Sequence, residues 1–188
     1  MKINIKHAKC LEPFLNFYVK NSPDVKGKGW KEWEVPTLEK IEERIEKYKE
    51  AWVKYEDKVL RGISDALNLE WKKDIDVYVV AGLDRSFSNP IVIGSQHLPV
   101  KFILELTEEL THRIFEGEDF KFSKILLNKT DNKVTNNHIL IYAVIRKIFE
   151  NEPEILKLLA YIKNEDYKKA YDLSENYDEI LKYFRDNR

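Results

Sequence analysis

Residues 99–115 read PVKFILELTEELTHRIF, and the period of this stretch sets the kind of fold the rest of the chain has to build. At 100° per residue Val100, Ile103, Leu104, Leu106, Thr107, Leu110, Thr111, Ile114 and Phe115 share one face, the pattern of a helix whose apolar side meets a core. Pro99 suits its first turn, and Gly117 is the natural stop after it. Glu108 and His112 fall together on the edge of the apolar face, with Glu105, Glu109 and Glu116 just beyond, toward solvent. An ordinary acidic flank, pairing Glu108 with His112 and Glu109 with Arg113 at i,i+4, gives the same pattern. Side chains at i and i+4 also converge on one point, so Glu108 and His112 can hold a metal ion between them.

Immediately upstream, Ile75–Ala81 reads as a buried strand of Val, Ile and Tyr, and Pro90–Gly94 as a second strand after the turn-rich Asp84–Asn89. The two are expected to pair. Downstream, a polar linker over Glu118–Asn137, with a short apolar stretch at Ile125–Leu127, leads to a helix from about Asn136 to Phe149. On that helix His138 shares an arc with Ile141, Tyr142, Ile145 and Phe149 and points inward. A histidine so placed is commonly a hydrogen-bonded core residue. Yet His112 and His138 are two of only four histidines, and both face the interior on helices joined by one linker.

The Glu108-Glu109-Leu-Thr-His112 run resembles the zinc-binding helix of the zincin metallopeptidases, His-Glu-x-x-His, with Glu108 in place of the first histidine. The order of elements also resembles theirs, a sheet followed by the metal helix. The resemblance implies a metal ligand pair at Glu108 and His112 with Glu109 as general base. His138 stands where the gluzincin branch places its third ligand, normally a Glu. Glu108, His112 and His138 would then make a His2Glu zinc set, with the carboxylate moved from the third position to the first and the ligand charge unchanged. Tyr142, one turn after His138, is the closest donor for a developing oxyanion, against core packing as its plain role. His97 lies in the loop before the 99–115 helix and can face a cleft mouth; His7 has no partner the sequence names.

The remaining elements fill out a helix-rich α+β fold with a small sheet. Met1–Ala8 alternates Ile3 and Ile5 with polar residues, the period of a short edge strand, and Leu11–Lys20 steps at helical spacing before Asn21–Gly29 breaks into a loop. From Pro36, the residues Leu38, Ile41, Ile45, Tyr48, Trp52, Tyr55, Val59, Gly62 and Ala66 step by threes and fours, predicting one long helix over 36–67 whose last turns Gly62 loosens. Its charged flanks suit a coiled-coil homodimer, but the aromatic seam favours a helix packed into a core. From Pro153 the chain reads as short helices over 154–162, 165–173 and 177–184. The division expected is a zincin-like core over 1–150 and a helical appendage over 151–188 packed on it. The run 166–174 resembles one tetratricopeptide helix, but no second copy follows.

Charge and composition narrow the function. Lys plus Arg number 32 against 33 Asp plus Glu, a net charge of -1 that removes the electrostatic basis for a general nucleic-acid binder. The longest apolar runs, such as Ile139–Ile145, fall far below the roughly 20 residues of a bilayer span, so no membrane partner is expected. Cys10 is the single cysteine, which excludes an internal disulfide and a cysteine-based metal site and suits a reducing compartment; with no apolar leader in the first ten residues, the expected address is the cytoplasm. No glycine-rich phosphate loop or Gly-x-Ser-x-Gly elbow occurs. The expected function is zinc-dependent hydrolysis of a peptide or amide bond in a peptide or protein substrate. The alternative is a zincin-like domain without catalysis, acting as a binding or scaffold module.

Overall fold

A computed structural model describes residues 1–21, 34–83, 85–115, 130–161 and 164–187. The expected loop over 22–29, Asp84, the Gly117 stop and the linker over 118–129 lie outside the described residues. In chain order the elements are β1 (Ile3–His7), α1 (Glu12–Asn21), α2 (Leu38–Leu67), β2 (Ile75–Val80), β3 (Phe87–Ser88), β4 (Ile91–Gly94), α3 (Pro99–Arg113), α4 (Lys133–Ile148), α5 (Pro153–Leu156), α6 (Glu165–Leu173) and α7 (Tyr177–Asp186). A 3-10 turn at Lys157–Tyr161 continues α5. The fold is therefore α+β, helix-rich with a small mixed sheet. No helix among the described residues is long and apolar enough to cross a membrane.

The strands run β1-β2-β4-β3 across the sheet. β1 lies at one edge, parallel to β2, with Ile3 opposite Ile75 and Ile5 opposite Val77. The expected pairing of the two central strands forms as a parallel ladder, Val77 opposite Ile91 and Val79 opposite Ile93. The two-residue β3 closes the other edge antiparallel to β4. β2, flanked on both sides, buries Ile75, Val77, Val79 and Val80, while Asp76 and Tyr78 between them stay partly exposed.

The described chain divides into two compact units, residues 1–54 with 72–109, and 55–71 with 110–188. In the first, α2 turns Ile41, Ile45, Tyr48 and Trp52 inward, all under 5% exposed, so its aromatic seam is spent inside the chain. The Tyr48 ring stacks on Phe102 of α3 with centroids 4.1 Å apart and planes 4° from parallel. Its hydroxyl donates toward the carbonyls of Ser95 and His97, at 2.8 and 2.7 Å, and Arg44 donates to the Ser95 carbonyl at 3.1 Å. These bonds hold the turn that launches α3. Leu38 and Val100, both read as core-facing, are 49% and 39% exposed because each sits in the first turn of its helix, where the packed face runs out.

In the second unit α4 packs on α6 and α7. At Gly62 a Cβ would lie 2.6 Å from Cγ1 of Ile148, so the bare backbone is what lets α4 approach. α2 ends where Asn68 takes a left-handed φ of 53°, a conformation Asn tolerates better than most side chains. α4 starts three residues earlier than its apolar period suggests. The Asn132 side chain accepts the Thr135 N–H at 3.1 Å and so caps a first turn of Lys133, Val134 and Thr135 that carries little hydrophobic signal.

Candidate metal centre

α3 is buried on more than one side. Phe102, Ile103, Leu106, Thr107, Leu110 and Thr111 have no exposed surface, and Glu109, which the helical wheel turns toward solvent, is itself 7% exposed. A wheel assumes one packed face. Here the flank also lies in the interior, which draws an acidic side chain into it. Glu108 and His112, on the edge of that face, are half-buried.

His138 comes from α4 and is 8% exposed. Its Nδ1 lies 2.8 Å from the Val134 carbonyl. A carbonyl only accepts, so Nδ1 carries the proton, and in the neutral ring Nε2 keeps a lone pair. That is the arrangement by which a backbone carbonyl orients a metal-ligating imidazole. The His112 and His138 rings meet edge to face, centroids 5.1 Å apart at 74°. Glu108 stands one turn before His112 on the same helix, and ligand atoms of Glu108, His112 and His138 all lie within 4.8 Å of one another. This group can hold a metal ion. Zinc bonds of roughly 2.1 Å in a tetrahedron place donor atoms about 3.4 Å apart, so side-chain rotations that draw the donors in by roughly 1.4 Å close the set.

The electrostatics fit a cation as well. Burial, reinforced by the nearby Glu105 charge and opposed by Lys101, pushes the Glu108 carboxyl up to about 8. Burial, with Glu108 and Glu105 adding to it, pushes Glu109 up to about 8 too. Burial lowers His112 to about 4, with His138 contributing, and lowers His138 against the pull of its Val134 bond. Both imidazoles are thus kept in the neutral form that ligates metals, while the carboxylates need a positive charge beside them to stay ionised. A divalent cation held among the three donors would supply it.

The other residues singled out in the sequence are placed as follows. Tyr142 is 2% exposed, its ring 6.1 Å from that of His138 and edge-on to Tyr171 at 5.8 Å. His97 precedes α3; burial lowers its pKa against the opposing charge of Glu105. His7 does have a partner, Oε1 of Glu12, 3.0 Å from its Nε2. Two residues escaped the sequence reading. Tyr167 of α6 brings its ring to 4.3 Å from that of His138, the nearest of the aromatic neighbours. Its spacing of four from Tyr171 was the available sign of an aromatic helix face. Glu105, counted only as solvent flank, accepts from Ser86 at 3.0 Å and pairs with Lys101 at 2.8 Å.

No protein-family model matches the chain, nor does any curated protein or solved structure.

Proposed function

We propose that this protein is a metal-dependent hydrolase of zincin-like type, acting on a peptide or amide bond in a peptide or protein substrate, with Glu108, His112 and His138 as ligands of a zinc ion. The convergence of those three side chains within 4.8 Å, from two helices, is the observation that carries the reading. Zinc bound there supplies Lewis-acid polarisation of a carbonyl and lowers the pKa of water. Glu109, next to Glu108 and buried, takes a proton from the attacking water as its oxygen joins the carbonyl carbon. As the carbon–nitrogen bond breaks, Glu109 returns that proton to the leaving amine. The Nδ1–H of His138, held by the Val134 carbonyl, keeps its Nε2 directed as a ligand. Two phenols lie beside His138 as donors to the developing oxyanion: Tyr142, 2% exposed, and Tyr167, half-buried and so the easier for a substrate to reach.

The test is the metal content of protein purified without added zinc, beside His112→Ala and His138→Ala. Near-stoichiometric zinc that both substitutions release is the expected result; failure to take up zinc even when it is supplied would overturn the site. Glu109→Gln should then keep its zinc and lose peptide hydrolysis. Zinc retained by a wild-type protein that cleaves no peptide would leave a metal-holding binding module instead.

A further inference from the structure

We propose that the outer edge of β1 takes up an extended peptide as one more strand, in the groove between β1 and α2. β1 is the end strand of the sheet, and its register fixes which of its backbone groups the sheet has used. The Lys2 carbonyl accepts the Ile75 N–H at 3.0 Å, and the Ala8 N–H donates to the Val79 carbonyl at 2.9 Å. In a parallel ladder the bonding residues alternate, so the backbone groups of Lys2, Asn4, Lys6 and Ala8 face β2. The N–H and C=O of Ile3, Ile5 and His7 therefore face away from the sheet. Among the described residues no other backbone group pairs with them. The opposite edge, β3, is two residues long and offers no such row.

A cavity of about 450 Å³ lies against this edge, within the size range of small binding clefts. Ile5, Lys6 and His7 line it from β1, and Glu42, Ile45 and Lys49 are among the residues that line it from α2. Ile5 and Ile45, 7% and 4% exposed, make its apolar part. The His7 side chain, 7% exposed, is the polar group that asks for a ligand. Its Nε2 lies 3.0 Å from Oε1 of Glu12; a carboxylate only accepts, so Nε2 carries the proton and Nδ1 of the neutral ring is an acceptor. That Nδ1 is buried and has no hydrogen-bond partner. A buried acceptor left unpaired costs free energy, which a hydroxyl or amide on an incoming strand would recover. The charged rim does not choose the occupant. Glu42, Glu43 and Glu46 pair with Lys9, Lys47 and Lys49 across exposed surface, so no sign of charge is left over there. Selection falls instead to the row of outward N–H and C=O groups, which match a strand about 4.8 Å away, and to His7. A second copy pairing through β1 fits less well, because it would bring its own α2 into the same groove. The site is independent of the metal centre.

The experiment is residue-resolved amide hydrogen exchange of the full chain with two probes. One is a capped hexapeptide of alternating threonine and valine; the other is the same peptide N-methylated at every residue, which keeps the side chains but cannot donate from its backbone. Expected is exchange at Ile5 and His7 slowed more than about tenfold by the first peptide and unchanged by the second. His7→Phe, which keeps an aromatic ring and removes the acceptor, should weaken binding of the first peptide by about tenfold. Should that variant fail to fold, the methylated peptide still decides. Four results would each overturn the proposal: exchange at Ile5 and His7 unchanged by either peptide, equal protection by both, binding undiminished in a folded His7→Phe, or a dimer mass in solution with those amides already protected, which would make a second copy the occupant.

Discussion

Glu105 and Glu108 lie one turn apart on α3, and their surroundings drive them in opposite directions. Burial alone would raise Glu105, but the charge and hydrogen bond of Lys101, with His97 and Ser86 adding to them, hold its carboxyl below the usual range. Glu108 is buried more deeply, with the Glu105 charge adding to the rise and Lys101 opposing it only weakly, and it rises to about 8. The contrast separates two uses of a carboxylate in a protein interior. One is structural, complete with its own cation. The other has its carboxyl pushed up by burial, and it is the one that shares a 4.8 Å cluster with two neutral imidazoles.

Exchanging each carboxyl for its amide breaks this comparison most directly. Glu108→Gln removes a ligand and should weaken zinc binding more than about a hundredfold, while leaving the metal-free protein as stable as before or slightly more so, since a raised carboxyl is gone. Glu105→Gln should do the reverse: zinc affinity little changed, and stability lower by about 1 kcal/mol because Lys101 loses its counter-charge and one of the two acceptor oxygens serving Lys101 and Ser86 becomes an NH2. Zinc titration and thermal melting of both variants read this out. Equal effects of the two on zinc would mean the cluster answers only to total charge, not to a ligand at Glu108.

A smaller effect should appear in pH. Glu108 and Glu109 have folded pKa values near 8, above their ordinary 4.5, so the stability they give the metal-free fold is full below about 4.5 and is lost as pH climbs toward 8. His112 has its pKa lowered to about 4, so its contribution is full above 6.5 and is lost as pH falls through 6.5 toward 4. Zinc bound as proposed would compete with the Glu108 proton. The rise in melting temperature on adding zinc should therefore grow from about pH 5 to about pH 8, reaching about 5–10 °C with zinc at about a hundred times its Kd. A zinc-induced rise that is flat across that range would remove Glu108 as the ligand that sets the response.

Much of this could be read from the chain. The elements with strong periods were legible because one packed face leaves its mark at every third or fourth residue: α2 from its aromatic seam, α3 from Val100 to Phe115, β2 from its Val and Ile run. Glu108, His112 and His138 were legible as a set because i,i+4 spacing is fixed by helix geometry and the His138 arc was otherwise apolar. The burial of Glu109 was not, since a wheel knows one face and α3 is covered on more. Nor were the roles of Glu105, Tyr167 and His7. Ser86, Tyr167's neighbour His138 and His7's partner Glu12 lie 19, 29 and 5 residues away across turns or separate elements, where spacing carries no direction; only the Lys101–Glu105 pair, at i,i+4, was within reach of spacing. The closeness of Ile148 to Gly62 is of the same kind, set by where two distant helices cross.

The finest test concerns what aims His138. Asn132 holds the start of α4 twice over: its side-chain oxygen caps the Thr135 N–H at 3.1 Å, and its amide donates to Asp166 of α6 at 2.8 Å. Thr135 adds a bond to the Asp166 carbonyl at 3.2 Å. His138 follows within the next turn, and Tyr167, beside Asp166, is the residue whose ring lies against it. Loss of the cap should cost about 1 kcal/mol of stability, the usual worth of an Asn at this position. If Asn132 also aims His138, Asn132→Ala should weaken zinc binding by a few-fold as well, while Asn132→Asp, which keeps the capping oxygen, should recover stability more fully than affinity because it cannot donate to Asp166. Thermal melts and zinc titrations of the two variants separate the contributions. Affinity that tracks stability in both would reduce Asn132 to a cap and leave the aim of His138 to the Val134 carbonyl alone.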